Sequence, residues 1–200
     1  MRRSSFLLLV AGLLVAASMP PWGWWPLGFI GIGLYGSVAV QRRDNAFSTG
    51  FLFAAAWFLP SMAWMWFLTA PGYIVAILIF CVMHGIASYV AATLSANDHS
   101  HRTALIVCHS LAEVVRLSFP FGGVPLATLA IGQVSGPLAD LAPLMGVIGI
   151  TIATLYLALT HHRFRAIFII GLLVFVGNTW NNTQSTGRTL KLSIVQGGGE

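Results

Sequence analysis

Two charged side chains near the middle of the sequence, Glu113 and Arg116, lie three residues apart in an otherwise apolar stretch. On a helix this spacing places both on one face, where they can form an ion pair. A charge inside a membrane is costly to desolvate, so such residues are functional candidates by default. The alternative is a helix-end ion pair near the lipid headgroups, with the Arg116 side chain reaching outward. The sequence alone leaves both interpretations open.

The stretch that follows, residues 119–139, is apolar but contains glycine and proline too often for a membrane-spanning helix. We expect such a segment to dip into the membrane boundary or to line a cavity, where protein covers its backbone. A cavity of this kind could hold acyl chains. The predicted lipid-cavity residues are Glu113, Arg116, Phe119, Pro120, Gly132, Gln133, Gly136 and Pro137.

The composition predicts the surroundings of this candidate site. Charged residues make up 8% of the chain and hydrophobic residues 57%, whereas a soluble domain has about 25% charged residues. A spanning helix needs about 20 apolar residues, and seven segments meet this requirement. We therefore predict an all-α polytopic membrane helix bundle of about seven spans. The predicted spans are residues 5–19, 24–40, 47–68, 72–94, 103–118, 140–160 and 164–181.

The basic residues predict the orientation of the bundle. They cluster at alternate ends of the predicted spans, which favours a cytoplasmic N-terminus. The inner loops then hold His99, His101, His161 and His162, which we expect to be solvated. We predict no metal site and no cofactor, because these histidines lack a helical pair with a carboxylate. We predict no nucleic-acid partner, because the basic residues form no stripe interleaved with aromatic residues.

The end of the chain changes character. Residues 1–181 are expected to form the transmembrane domain, and residues 182–200 an extracytoplasmic linker and strand. Residues 190–195 alternate apolar and polar side chains, which is typical of a strand, and glycines follow. Because one strand cannot fold alone, we expect it to be the first strand of a missing α/β domain.

Four short motifs in a fixed order resemble the apolipoprotein N-acyltransferase family, and the resemblance extends over the whole chain. They are residues 110–116 (SLAEVVR), 119–120 (FP), 132–138 (GQVSGPL) and 141–147 (LAPLMGV). A Glu-Arg helix end, a Phe-Pro break, a Gly-Pro-Leu turn and a Gly-Val helix are together hard to obtain by chance. The family commonly has Trp after Phe-Pro, where this chain has Phe121.

The resemblance implies a bacterial inner-membrane enzyme whose helices carry a nitrilase-like domain on the outer face. Such an enzyme takes an acyl chain from a phospholipid, holds it as a cysteine thioester and passes it to the N-terminal diacylglyceryl-cysteine of a lipoprotein. The implied Glu-Lys-Cys triad, in which a base activates the thiolate, belongs to the nitrilase-like domain. Since Cys81 and Cys108 lie in predicted spans, we assign no catalytic residue to this chain and expect it to be inactive alone.

Two other functional classes remain as alternatives. The chain could be a non-catalytic membrane anchor or scaffold, either a truncated relative or the membrane half of a fused polyprenol-phosphate glycosyltransferase. A small transporter would show internal repeats or paired broken helices. The sequence shows no repeat and one strongly broken segment, residues 119–139.

Overall fold

The computed structural model describes residues 2–119 and 123–160, and also residues 167–169, 171, 172, 174, 175 and 177. The described residues form helices and turns, with six α-helices between residues 2 and 159. These are α1 (Arg2–Ala17), α2 (Trp25–Gln41), α3 (Ala46–Ser61), α4 (Ala70–Thr93), α5 (Asp98–Arg116) and α6 (Ala142–Leu159). Short 3₁₀ helices cover Arg43–Asn45, Ala63–Phe67, Ile131–Gln133 and Pro137–Leu141.

Local sequence signals explain where the central helices begin. The Thr69 hydroxyl accepts a hydrogen bond from the Gly72 amide at 3.3 Å and caps α4. Asn97 and Ser100 form a reciprocal capping box at the start of α5. As a result, α5 begins at Asp98, five residues before the predicted span. Inside α6, Gly146 has a φ of 62°, a conformation that favours glycine, and it kinks the helix.

The helices form one bundle in which α1 packs against α2 and α3, α3 against α4, and α4 against α5. Helix α6 closes the bundle against α2 and α5. Two glycines of α2 allow close approach of neighbouring helices. A Cβ at Gly31 would lie 2.5 Å from the Ala11 carbonyl oxygen, and a Cβ at Gly36 would overlap the Leu159 side chain.

Several predicted spans correspond to helices, but their lengths differ. Two helical stretches of the described residues, Ala70–Thr93 and Pro137–Leu159, are long and apolar enough to cross a membrane by length and composition. The apolar helix Arg3–Ala17 is shorter. The predicted span 47–68 is divided, because α3 contains Pro60 in its last turn and ends at Ser61.

Two expectations about the end of the chain lie outside the described residues. These are the boundary at residue 181 and the strand at residues 190–195. The predicted span 164–181 is described in part, and residues 167–169, 171, 172, 174, 175 and 177 are helical.

Candidate functional site

The Glu113–Arg116 ion pair forms as the spacing predicted, and it lies in the bundle interior. Arg116 Nη2 lies 2.7 Å from Glu113 Oε1 and 2.8 Å from Oε2. Both residues are 0% exposed, so the alternative in which Arg116 reaches outward is wrong. The guanidinium also lies between two aromatic rings, 4.9 Å from the centroid of Phe58 and 4.7 Å from that of Phe80. These contacts hold the charge in one orientation.

Arg116 also connects the bundle to the irregular segment that follows α5. Its Nη1 donates a hydrogen bond of 2.5 Å to the Leu126 carbonyl. Its own carbonyl accepts a hydrogen bond of 2.9 Å from the Val124 amide. The Nε atom is buried without a hydrogen-bond partner. One side chain therefore binds Glu113 inside the bundle and fixes the start of residues 123–141, which we call the outer segment.

Further polar side chains continue from Glu113 into the bundle. His84 Nε2 lies 3.4 Å from Glu113 Oε1, and His84 Nδ1 lies 2.8 Å from His109 Nδ1. The other ring nitrogen of His109 contacts the Tyr35 hydroxyl at 2.8 Å, which in turn contacts the Ser88 hydroxyl at 2.6 Å. Helices α2, α4 and α5 thus share a buried polar network that ends at the outer segment.

Sequence reasoning missed the histidines of this network. It considered histidines in the inner loops, whereas His84 and His109 lie inside the predicted spans 72–94 and 103–118. The rule that drew attention to Glu113 also applies to a histidine at membrane depth. Applied consistently, it would have found both residues, although their mutual contact depends on how α4 and α5 pack.

The other predicted site residues lie against the first hairpin of the bundle. Gly132 is buried in a 3₁₀ helix, and a Cβ there would lie 2.5 Å from the Ser18 hydroxyl. A Cβ at Gly136 would lie 2.8 Å from the Trp25 ring. Gln133 is 1% exposed, its Nε2 donates to the Trp25 carbonyl at 3.4 Å, and its Oε1 has no partner. This half of the predicted site is a close contact between the outer segment and α2.

An apolar cavity of about 480 Å³ lies beside this contact. Its lining residues come from α2, from the 3₁₀ helix Pro137–Leu141, from α6 and from helical positions between 167 and 177. They are Trp25, Phe29, Pro137, Leu138, Leu157, Ile167, Gly171 and Val174. Pro137 is the predicted site residue that lines the cavity. Glu113 and Arg116 are not among the lining residues, and Arg116 contacts the outer segment at Leu126 instead.

The remaining two predicted site residues do not join either group. Phe119 lies in the turn after α5 and is 62% exposed. Pro120 lies outside the described residues.

The expectation that the inner-loop histidines are solvated is wrong for His101, which is 1% exposed within α5. The early start of α5 brings this residue against α4, where Nδ1 contacts the Ser95 hydroxyl at 2.8 Å and the Ala91 carbonyl at 3.3 Å. Burial lowers the pKa of His101 below its ordinary value, and the nearby positive charge of Arg43 lowers it further. His99 is exposed, as expected.

The chemistry available within the described residues is limited. No group of three or more His, Cys, Asp or Glu side chains among them could hold a metal ion. Cys81 and Cys108 are free and buried, and the histidine pair contacts Tyr35 and Ser88 rather than a thiol. In this part of the chain the arrangement can bind, position and exchange a proton.

Taken together, the fold and site define an apolar helical bundle with a buried ion pair beneath an irregular apolar segment. Residues 11–160 match the family model described as the apolipoprotein N-acyltransferase N-terminal domain, and the chain belongs to this family. The apolipoprotein N-acyltransferase of Verminephrobacter eiseniae (strain EF01-2) is 32% identical over 181 residues, covering 78% of this chain and 33% of the relative. The chain therefore spans about a third of the length of that curated relative. The family resemblance expected from the motifs is confirmed.

Proposed function

We propose that this chain is the membrane part of an apolipoprotein N-acyltransferase and that its outer segment borders the cavity that receives the phospholipid acyl chain. The reaction transfers an acyl chain from a phospholipid to the N-terminal amine of a diacylglyceryl-cysteine lipoprotein. Family membership and the 32% identity to a named enzyme of this kind support the proposal. The triad expected from the family is not assigned to these residues, so we propose a lipid-positioning role for them and expect no transfer by the chain alone.

The observation that carries the lipid-binding role is the apolar cavity between Trp25, Pro137 and Leu138. A volume of about 480 Å³ lies within the range of about 300–1,000 Å³ that is typical of small-molecule sites. Its lining is aromatic and aliphatic, which suits an acyl chain and offers no partner to a charged headgroup. The outer segment forms one wall, so its position determines whether a chain can enter.

The surface of the bundle supports a membrane setting. Large apolar side chains on several helices point away from the core. They include Phe6, Ile30, Val75, Ile86 and Val107, which are 50–63% exposed. Lipid tails would cover such positions, whereas water would not favour them. We propose a multi-pass protein of the bacterial inner membrane with a cytoplasmic N-terminus and residues 182–200 on the outer side.

Tryptophans at one end of the bundle fit the proposed orientation. Trp22, Trp24, Trp64 and Trp66 are 52–58% exposed, and tryptophan favours the boundary between lipid and water. Trp57, by contrast, is 1% exposed and stacks on Phe58. The boundary role is therefore proposed for the four exposed residues.

The Glu113–Arg116 pair has a positioning role in this proposal. Because Arg116 binds the carbonyl of Leu126, it fixes the outer segment at one end. The close contact between Gly136 and the Trp25 ring fixes the segment near its other end. Pro137 and Leu138 follow directly after this second contact and line the cavity.

The lipid-binding role can be tested by filling the cavity. Gly171 lines the cavity, and no atom of the described residues outside its own turn of helix lies within 4 Å of a Cβ placed there, so Gly171→Phe adds a ring at the cavity wall. We expect it to reduce photo-crosslinking to a phospholipid with a diazirine in its acyl chain by about tenfold, which corresponds to about 1.4 kcal/mol. Val75→Phe adds a comparable ring at an exposed position of α4 and is the matched control. Equal crosslinking in both variants would contradict the proposal.

The acyltransferase role needs a separate assay. In cells whose own enzyme carries this chain in place of its N-terminal domain, lipoproteins should receive the third acyl chain. Gly171→Phe should reduce this acylation, and Val75→Phe should leave it unchanged. A stable chimaeric enzyme that binds lipid but transfers no acyl chain would favour the scaffold alternative.

A further inference from the structure

Four short hydrogen bonds form a closed ring between α2, α4 and α5. His84 Nδ1 and His109 Nδ1 are 2.8 Å apart, and His109 Nε2 and the Tyr35 hydroxyl are 2.8 Å apart. The Tyr35 and Ser88 hydroxyl oxygens are 2.6 Å apart. Ser88 then closes the ring by donating to the backbone carbonyl of His84 at 2.8 Å. All four residues are 1–3% exposed, at 1% for three and 3% for His109.

The last bond of the ring determines the direction of the others. A carbonyl oxygen can only accept, so the single hydroxyl proton of Ser88 is used there. The Tyr35 hydroxyl must then donate to Ser88, and His109 Nε2–H must donate to the Tyr35 oxygen. A longer contact of 3.3 Å between Ser88 Oγ and His109 Nε2 agrees with the same proton position.

The same reasoning assigns both histidine tautomers. A neutral imidazole carries one proton, so His109 with a proton on Nε2 has a bare Nδ1 that accepts. His84 must therefore carry its proton on Nδ1 and donate to His109. His84 Nε2, the remaining nitrogen, therefore carries no proton and has no partner within the hydrogen-bonded ring.

The position of His84 Nε2 agrees with this proton count. The atom is fully buried, makes no hydrogen bond and lies 3.4 Å from Glu113 Oε1. A bare nitrogen and a carboxylate oxygen are both acceptors, so no hydrogen bond forms between them. We propose that His84 Nε2 is a buried proton-binding site, which takes up one proton on the side that faces Glu113.

The groups around the site define what proton uptake would change. From α5 the charged groups facing it are Glu113 and Arg116, with His101 farther along the same helix and the Cys108 thiol near Tyr35. Helix α3 contributes the rings of Trp57 and Phe58. One added proton would give Glu113 a second cationic partner beside Arg116. Because Arg116 holds the Leu126 carbonyl, the proton site is linked to the outer segment through three consecutive contacts: His84 to Glu113, Glu113 to Arg116, and Arg116 to Leu126.

The test is a measurement of proton positions on the histidine nitrogens. The chain, labelled with ¹⁵N-histidine and reconstituted in liposomes, would be studied by solid-state NMR, which distinguishes protonated from bare ring nitrogens. At about pH 8, where an ordinary histidine is neutral, we expect His84 to be protonated on Nδ1 and His109 on Nε2. On acidification, His84 Nε2 should gain a proton while His84 Nδ1 keeps its own. The exposed His99 is the internal reference.

Ser88→Ala provides the decisive variant. Without the Ser88 hydroxyl, the Tyr35 hydroxyl has only His109 Nε2 left as an acceptor within the hydrogen-bonded ring. His109 should then carry its proton on Nδ1 and donate it to His84 Nδ1. His84 should therefore carry its own proton on Nε2. Both tautomers would be inverted at about pH 8. Ser61→Ala is the matched control, because Ser61 donates to the carbonyl four residues before it at 2.7 Å and belongs to α3 outside the ring. It should leave both tautomers unchanged.

Two results would overturn the proposal. One is a wild-type His84 that already carries its proton on Nε2 at this pH, and the other is a folded Ser88→Ala variant with unchanged tautomers. The wild-type spectrum decides the first point without any substitution, so the proposal remains testable if Ser88→Ala does not fold. The outcome is independent of acyl transfer.

Discussion

The bundle interior and the outer segment both hold polar groups away from water, but they do so differently. In the interior, side chains from α2, α4 and α5 form hydrogen bonds with one another, and His84 Nε2 and Arg116 Nε are left without a partner. In the outer segment, backbone turns satisfy the backbone, as in the 3.0 Å bond from the Ile131 amide to the Thr128 carbonyl. Gln133 is left there with an unpartnered oxygen. The interior therefore depends on side-chain bonds between three helices, whereas the outer segment depends mainly on its own backbone turns.

The strongest way to break the interior is to remove one charge of its ion pair. Arg116→Met leaves Glu113 buried without its cation, and we expect a loss of about 3–5 kcal/mol in the free energy of unfolding. Unfolding in mixed micelles by added denaturing detergent would measure this loss. A second substitution, Glu113→Gln, should recover part of it, because no buried charge then remains.

The matched control for this prediction is the exposed ion pair between Arg43 and Asp98. Its Nη2–Oδ1 distance is 2.8 Å, and its side chains are 26% and 72% exposed. Arg43→Met should cost about 0–1 kcal/mol, because water and salt screen a surface pair. Similar losses for Arg43→Met and Arg116→Met would mean that the buried pair is not what stabilises the interior.

The outer segment should be most sensitive to shape. Gly136→Ala places a Cβ 2.8 Å from the Trp25 ring, and we expect the resulting overpacking to cost about 1–3 kcal/mol. Gly33→Ala is the control, because its Cβ would lie 3.5 Å from the Ala158 carbonyl oxygen, an ordinary van der Waals contact. Thermal unfolding of both variants in detergent would show whether the contact with Trp25 is tight. Equal stability would contradict it.

Much of the interior was predictable from sequence, because local rules govern it. The three-residue spacing of Glu113 and Arg116 fixed their pairing on one helix face. Apolar length predicted α4 at residues 72–94, and the structure places it at Ala70–Thr93. What local rules could not supply was the contact between His84 and His109, which are 25 residues apart and meet only because α4 packs against α5.

The outer segment was predictable in character but not in geometry. Its glycines and prolines predicted an irregular apolar stretch, and the described part consists of turns and two 3₁₀ helices. The sequence grouped Glu113 and Arg116 with Pro137 at one cavity. In the structure Pro137 lines the cavity, whereas the ion pair does not. The chain changes direction between residues 123 and 137, and the spacing of residues along the sequence does not predict that change.

Removing one polar group from each region would show how strongly each depends on its polar side chains. Tyr35→Phe removes one hydroxyl from the hydrogen-bonded ring and leaves its buried partners without a bond. This should lower the free energy of unfolding by about 1–3 kcal/mol. Gln133→Leu removes an amide whose Oε1 is already unpartnered, so its cost should be below about 1 kcal/mol. Detergent unfolding measures both. A larger loss for Gln133→Leu would show that the outer segment depends on its polar side chain.

The smallest expected effect concerns His101, which lies outside the predicted spans and outside the ring. Because burial and then Arg43 lower its pKa, the folded state binds a proton less readily than the unfolded state. Its contribution to stability is therefore complete above the unfolded pKa of about 6.5 and is lost as the pH falls below that value.

His101→Asn should remove this contribution to the pH dependence. The unfolding midpoint of the wild type should fall more between about pH 7.5 and pH 5.5 than that of the variant. His99→Asn, at an exposed position of the same helix, is the control and should keep the wild-type dependence. If His101→Asn also kept the wild-type pH dependence, the decrease in the unfolding midpoint would have to arise from another group. The buried His84 side chain would be tested next, since proton uptake there would also depend on pH.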